Sequence, residues 1–471
     1  MRHLLCLIAL LLVALAVPAG ASAADPWSLP APIRAQTTTP PLPTAPGLAA
    51  NAGGLAIAVA NTGGALPDIG PHTTASVFSS GSFSDPADLT PRNVAMGPGS
   101  GRVLAYGQSR LIGVGIQAAR DASRAVVAFG RIGPGRATLD TPRALGPAGM
   151  RAARATLAVN AKGDAAVVFP VCRNAGCTKA LVYLAVRRAG TSAFRSTRLA
   201  DGSGPLPQVA AAVNDRGDAM AVWTQASTVY ARVRTAGGTV RPRQRVGATI
   251  RGQHLAPSAV LSLHRAQFVG WVAQGVGEGD GGPATTWVAQ ARDGGAFTAT
   301  QLGTIPALGA GHYVSEAGVR VAYGSQGRAL ASWTSFDSGS SRFGVKLGQI
   351  KGAANNPSQS LVSVTRLSDP AVDTVLSDFL ADPAGPEYAL MLAGVRGNDP
   401  SAIGGAVSVR ASGGEELLPP SSGANQPLGV DGVLLSDGRV LAAWTTPGQG
   451  DAWSVRGAPR PAGPISSDMR G

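Results

Sequence analysis

Val159-Asn160-Ala161-Lys162-Gly163-Asp164-Ala165-Ala166-Val167-Val168-Phe169 and Val213-Asn214-Asp215-Arg216-Gly217-Asp218-Ala219-Met220-Ala221-Val222-Trp223 are one pattern written twice, 54 residues apart. Each has an apolar strand end, a polar turn containing Gly, and an apolar run that closes on an aromatic, which is the signature of a β-hairpin. Looser copies run from Gly327 to Trp333 and from Asp437 to Trp444, and weaker ones end at Asn61, Trp271 and Leu392. A third strand follows each hairpin: Val182 to Gly190 matches Val229 to Gly237, and Trp287 to Arg292, Phe343 to Ile350, Ala406 to Arg410 and Trp453 to Arg456 continue the series. Stretches such as Phe297 to Leu302 supply a fourth. Four strands in every roughly 50 residues predict an all-β chain folded as a β-propeller.

Hairpin ends at Asn61, Tyr106, Phe169, Trp223, Trp271, Trp333, Leu392 and Trp444 predict about eight four-stranded blades over residues 48–465. Between 100 and 150 the segment Ala125–Phe129 competes with Tyr106 for the hairpin end, so seven blades is the alternative. The recurrent aromatic is expected to pack between neighbouring blades rather than to form a ligand platform, because bulky side chains at one strand position suit that contact.

Composition agrees. The chain has 471 residues, 44% hydrophobic and 14% charged, with 63 Gly and 35 Pro. Such Gly and Pro content disfavours a helical bundle, and the apolar fraction disfavours disorder. The net charge of +13 comes almost wholly from arginine, since only Lys162, Lys179, Lys346 and Lys351 are lysine.

Met1-Arg2-His3, the apolar run Leu4–Val17 and the small residues Ala21-Ser22-Ala23 read as a signal peptide over residues 1–23. A bilayer span needs roughly 20 apolar residues, more than this run provides. The mature chain is therefore expected to be secreted to the extracellular space, without a membrane span. Residues 24–47, rich in Pro and Thr, read as an extended tail, and residues 466–471 as a short C-terminal tail. Cys172 and Cys177 bracket a turn, and in an oxidising compartment a disulfide between them is expected.

The repeat resembles the secreted bacterial β-propellers that share this Gly-turn and aromatic-strand pattern, and is more distantly similar to sialidase-type propellers. The likeness to sialidases implies action on glycans, but it brings no residues with it. Gly217 precedes Trp223 by six positions, which is not the spacing of an Asp-box, and the arginine triad and Tyr/Glu nucleophile pair of sialidases have no counterparts that can be placed here.

No catalytic signature stands in the chain. His72, His254, His264 and His312 are not at metal-ligand spacing, no Gly-x-Ser-x-Gly elbow fits an all-β chain, and no metal site or cofactor is expected. Gly277 to Gly282 holds carboxylates that calcium accepts, yet it lacks the Asp-x-Asp-x-Asp-Gly spacing and reads first as a turn. Arg216-Gly217-Asp218, a tripeptide used by adhesive ligands, falls in the repeated turn and reads as turn chemistry.

Two surfaces are candidates for binding. Loops between second and third strands emerge on one face, and they hold Glu278, Asp280, Asp337, Asp399 and Asp451, which a sugar or cation would use if they converged in one funnel. Arg232, Arg234, Arg241, Arg243, Arg245 and Arg251 form an acid-free basic run expected to attract a polyanion, with Arg241, Arg243 and Arg245 placed at strand period. The alternative is a charged blade edge that deters edge pairing. The expectation is an exported, non-enzymatic binding or scaffold protein whose partner is an extracellular glycan, an acidic polymer or a protein. A carbohydrate-active enzyme acting on an extracellular glycan is the alternative. Oligomeric state is not legible.

Overall fold

Branched and aromatic residues on alternating positions make strands, and Gly-centred turns reverse them. In a computed structural model the described residues are 31–35 and 46–459, except 63–70, 119–122, 174–176, 204–205, 226, 248–252, 276–282, 307–317, 325–326, 352–359, 369, 372, 382–386, 394–405, 412–413, 418–429 and 448–452. Residues 1–23, read as a signal peptide, and residues 466–471, read as a tail, lie outside them. Among the described residues there is no α-helix, and the strands form eight antiparallel sheets.

Numbered in chain order, the innermost strands of the sheets are Gly47–Ala50, Arg102–Tyr106, Thr156–Val159, Val209–Val213, Gln253–Leu261, Val319–Tyr323, Thr374–Ala381 and Val430–Leu434. Each touches the next, and the last touches the first. Among the described residues eight apolar clusters alternate with the sheets: Trp223 packs between sheets 3 and 4, Trp271 between 4 and 5, Trp333 between 5 and 6, and Trp444 between 7 and 8. All four indoles are fully buried. The repeated aromatic is therefore inter-sheet core. Three of these positions also stack on the residue opposite them in the third strand: Phe169 on Tyr183 with centroids 5.6 Å apart, Trp223 on Tyr230 at 5.8 Å, and Trp271 on Trp287 at 6.1 Å.

Ring closure uses the chain's first described strand. Ala31–Ala35 lies within the stretch read as an extended tail, yet it pairs antiparallel with Trp453–Pro459 at the outer edge of sheet 8. Pro32 is tolerated there because an edge strand does not need every N–H. A register shift at Ile33 accompanies burial of that side chain between sheets 8 and 1, and its carbonyl accepts from Ser76 Oγ at 3.1 Å.

Sheet 2 departs from the expected hairpin ends. Tyr106 closes the first strand, the second is Arg110–Ala118, and Ala125–Phe129 lies in the third. Glycines replace the aromatic in that second strand because a Cβ on Gly115 would meet the Ala95 carbonyl at 2.0 Å.

The turns between first and second strands join the sheets. Asn160 Oδ1 accepts the N–H groups of Gly163 and Asp164, both at 2.9 Å, while its Nδ2 donates to the Asn214 carbonyl of the next sheet at 2.9 Å. Asn214 does the same for Arg216 and Asp218 and passes its own amide hydrogen to the Ser262 carbonyl at 2.8 Å. Gly217 stands at φ 80°, a left-handed conformation in which an L side chain is strained. Asp218 of Arg216-Gly217-Asp218 is only 1% exposed, so the tripeptide is turn architecture.

Candidate functional site

The strongest collection of ionisable groups near the ring axis comes from three innermost strands. In sheet 7 the register slips between Leu376 and Asp378, and the extra residue, Ser377, places two consecutive polar side chains against sheet 8. Ser377 Oγ donates to the Val430 carbonyl at 2.6 Å and accepts the Val430 N–H at 3.0 Å. Asp378 Oδ2 accepts the Gly432 N–H at 3.3 Å. Between these contacts Asp431 turns the other way and accepts the Leu48 N–H of sheet 1 at 2.6 Å. Gly432 permits the approach, since a Cβ there would lie 2.7 Å from Leu390.

The two carboxyls hydrogen-bond each other, which requires one of them to carry a proton. Burial first, then the Asp378 charge, pushes the Asp431 pKa up to about 8, against the opposing pull of Arg102 from sheet 2. The raised value favours the neutral form of Asp431, which accepts the Leu48 N–H. The sequence reading missed this pair. Asp378 and Asp431 sit in separate apolar strands 53 residues apart, and only the bulge at Ser377 brings them together.

The acidic-face candidates fare differently. Glu278, Asp280, Asp399 and Asp451 lie outside the described residues. Asp337 ends a second strand, on the same face as the Cys172–Cys177 loop, and is exposed. The Gly339 N–H at 2.9 Å, with Ser340 and Arg366, holds its carboxyl below the usual carboxylate range. Cys172 and Cys177 are disulfide-bonded, with Cα atoms 5.0 Å apart. Among the described residues no three His, Cys, Asp or Glu side chains gather as a metal site. No described helix is long and apolar enough to cross a membrane.

The arginine run is real but divided, and its strand-period reading needs correction. The outer strand of sheet 4 covers only Gln244–Arg245, because Pro242 between Arg241 and Arg243 has no N–H to extend the pairing. Arg241 swings toward sheet 5, where its Nη2 lies 3.5 Å from Asp293. Arg243 instead stacks over Tyr230 at 4.6 Å, on the side facing sheet 3. Arg232 donates to the carbonyls of Arg241 at 2.7 Å and Leu199 at 3.2 Å, and Arg245 to that of Gly247 at 2.8 Å. Burial, with the like charges of Arg188 and Arg195, pulls Arg234 below the ordinary guanidinium value. Arg251 lies outside the described residues.

The closed ring of radially packed sheets defines a β-propeller. No protein-family model matches the chain, and no curated protein sequence does. Among solved structures the chain is similar to the β-propeller domain of the Trilobed protease from Pyrococcus furiosus, at 8% identity over 79% of this chain and 97% of that one, TM-score 0.42. It is also similar to YCF48 from Cyanidioschyzon merolae, at 14% identity over 76% and 95%, TM-score 0.39. The NanB sialidase from Streptococcus pneumoniae gives 8% identity over 67% and 68%, TM-score 0.37.

Proposed function

We infer that the chain is an exported, non-enzymatic binding propeller, a ring of about eight blades that presents its loops and outer wall to an extracellular ligand. The observation that supports this reading is the engagement of the axial carboxyls. Asp431 and Asp378 each accept a backbone N–H from the following sheet, which makes them a latch between blades. Function is argued from the site, and a latch is occupied before any substrate arrives.

The carbohydrate-active alternative would draw its acid and base from Asp378 and Asp431, carboxyls on neighbouring innermost strands beside the axis. A glycan array probed with the full mature chain, followed by product analysis on every glycan bound, separates the two. Binding without product is expected. Turnover that disappears in Asp378→Asn would overturn the binding reading.

A further inference from the structure

We propose that the concavity between sheets 4 and 5, on the face of the first-to-second-strand turns, binds the acidic groups of an anionic polysaccharide, with Arg216 and Arg241 as the presented cations. This rests on the binding reading above and names its ligand class. The concavity is lined by Arg216 and Asp218 of the repeated turn, Thr235, Gly237 and Thr239 of the next turn, and Arg241 and Arg265.

Its charges divide by engagement. Asp218 Oδ2 accepts from the Asn214 side chain at 3.1 Å and Oδ1 from the Ala236 N–H at 2.7 Å, so it is already satisfied by the fold. Arg265 is clamped by Asp293, with Nε and Nη2 both 2.7 Å from Oδ2, and lies 3.9 Å from Asp218. Arg241 reaches Asp293 through one nitrogen at the long distance of 3.5 Å, and Arg216 stands exposed at the turn tip. Three guanidiniums face two carboxylates, and both carboxylates are committed. The remaining positive field falls on the two arginines at the mouth, where Thr239 adds a hydroxyl group.

A polysaccharide fits better than single-stranded nucleic acid, which relies on exposed aromatic faces for stacking. Among the described residues the exposed large apolar side chains are Leu263 and Val364, neither of them aromatic.

The test is titration of the full mature chain with heparin, as a sulfated probe, polygalacturonate, as a carboxylated one, and duplex DNA, at two salt concentrations. Binding of at least one polysaccharide that weakens as salt rises is expected, together with a loss of about tenfold or more in the double variant Arg216→Ser, Arg241→Ser. Arg136→Ser, an exposed arginine on sheet 2, is expected to leave affinity unchanged. Equal loss in both variants, loss in neither, salt-independent binding, or tighter binding to DNA than to either polysaccharide would overturn the proposal. If the double variant unfolds, Arg216→Ser alone carries the test, since its side chain is exposed. Turnover of a bound glycan would refute the function proposed above while leaving this site standing, so the two failures are distinguishable.

Discussion

Arg187 shows how a single charged residue holds two sheets together. Its side chain is 6% exposed, lies 4.7 Å over the Phe129 ring and 5.8 Å over that of Tyr106, and donates to the carbonyls of Gly163 at 2.9 Å and Thr191. A buried guanidinium is tolerable because the aromatic faces and carbonyls replace water. Arg187→Ala is expected to cost about 3 kcal/mol by leaving those carbonyls without a donor, and Arg187→Lys to recover less than half of it, because an ammonium cannot fork and stack together. Urea unfolding midpoints of the two variants check both. None of this was legible beforehand, because an arginine after an apolar strand reads as surface until Phe129 and Tyr106, far away in sequence, are seen to meet it.

Among elements, the repeated turn was the most legible feature and the bulge the least. The hairpins ending at Phe169, Trp223, Trp333 and Trp444 were visible because periodic apolar residues, a Gly turn and a terminal aromatic coincide there, whereas the weaker one ending at Trp271 turns on Arg265 at φ 60° in place of Gly. What the pattern did not disclose is the second use of its asparagine. Asn214 caps its own turn and holds the next sheet, so Asn214→Ala is expected to lose about 2 kcal/mol, more than an ordinary cap substitution, whereas Asn214→Asp should retain the cap but lose the donations to Ser262 and Asp218 and set a second carboxylate beside Asp218. Chemical denaturation of the pair measures the difference. In sheet 2 the reading misplaced the hairpin because glycines forced by a crossing backbone stand where the aromatic was expected. The Ser377 bulge carries no sequence mark, and with it the Asp378–Asp431 pair was invisible.

Asp164 belongs to the same element. Burial raises its pKa, but the Ala189 N–H, the Asn160 side chain and Arg188 together outweigh burial and hold it below the ordinary value. Its contribution to stability is thus present above about pH 4 and lost as pH falls through the lower folded value. Asp164→Asn is expected to blunt acid unfolding, which a thermal scan below pH 4 would register.

For the whole molecule, the closing strand and the axial latch decide whether the ring holds. Ala31–Ala35 was read as tail because Pro32 and its neighbours resemble a linker, yet the last sheet lacks an outer strand without it. Removal of residues 24–36 is expected to lower the thermal midpoint, and Ile33→Ala alone to cost about 2 to 4 kcal/mol by opening a cavity between sheets 8 and 1. A deletion variant as stable as the undeleted chain would show that the strand is dispensable.

The account turns on the axial carboxyls being a latch, and the pH dependence of unfolding tests that most directly. The folded Asp431 pKa of about 8 lies above its ordinary value of 3.8, so between those limits the folded chain holds a proton that the unfolded chain has released. That contribution is complete at the acid end of the window and lost as pH rises through about 8. In Asp431→Asn the amide donates to Asp378 and its oxygen still accepts the Leu48 N–H, so the neutral latch persists at every pH. Thermal midpoints of the wild type and of Asp431→Asn from pH 5 to 9 are expected to show a decline in the wild type that is flattened in the variant, with the variant the more stable at pH 9. An identical pH slope in both proteins, or a variant markedly less stable at pH 5, would contradict the latch.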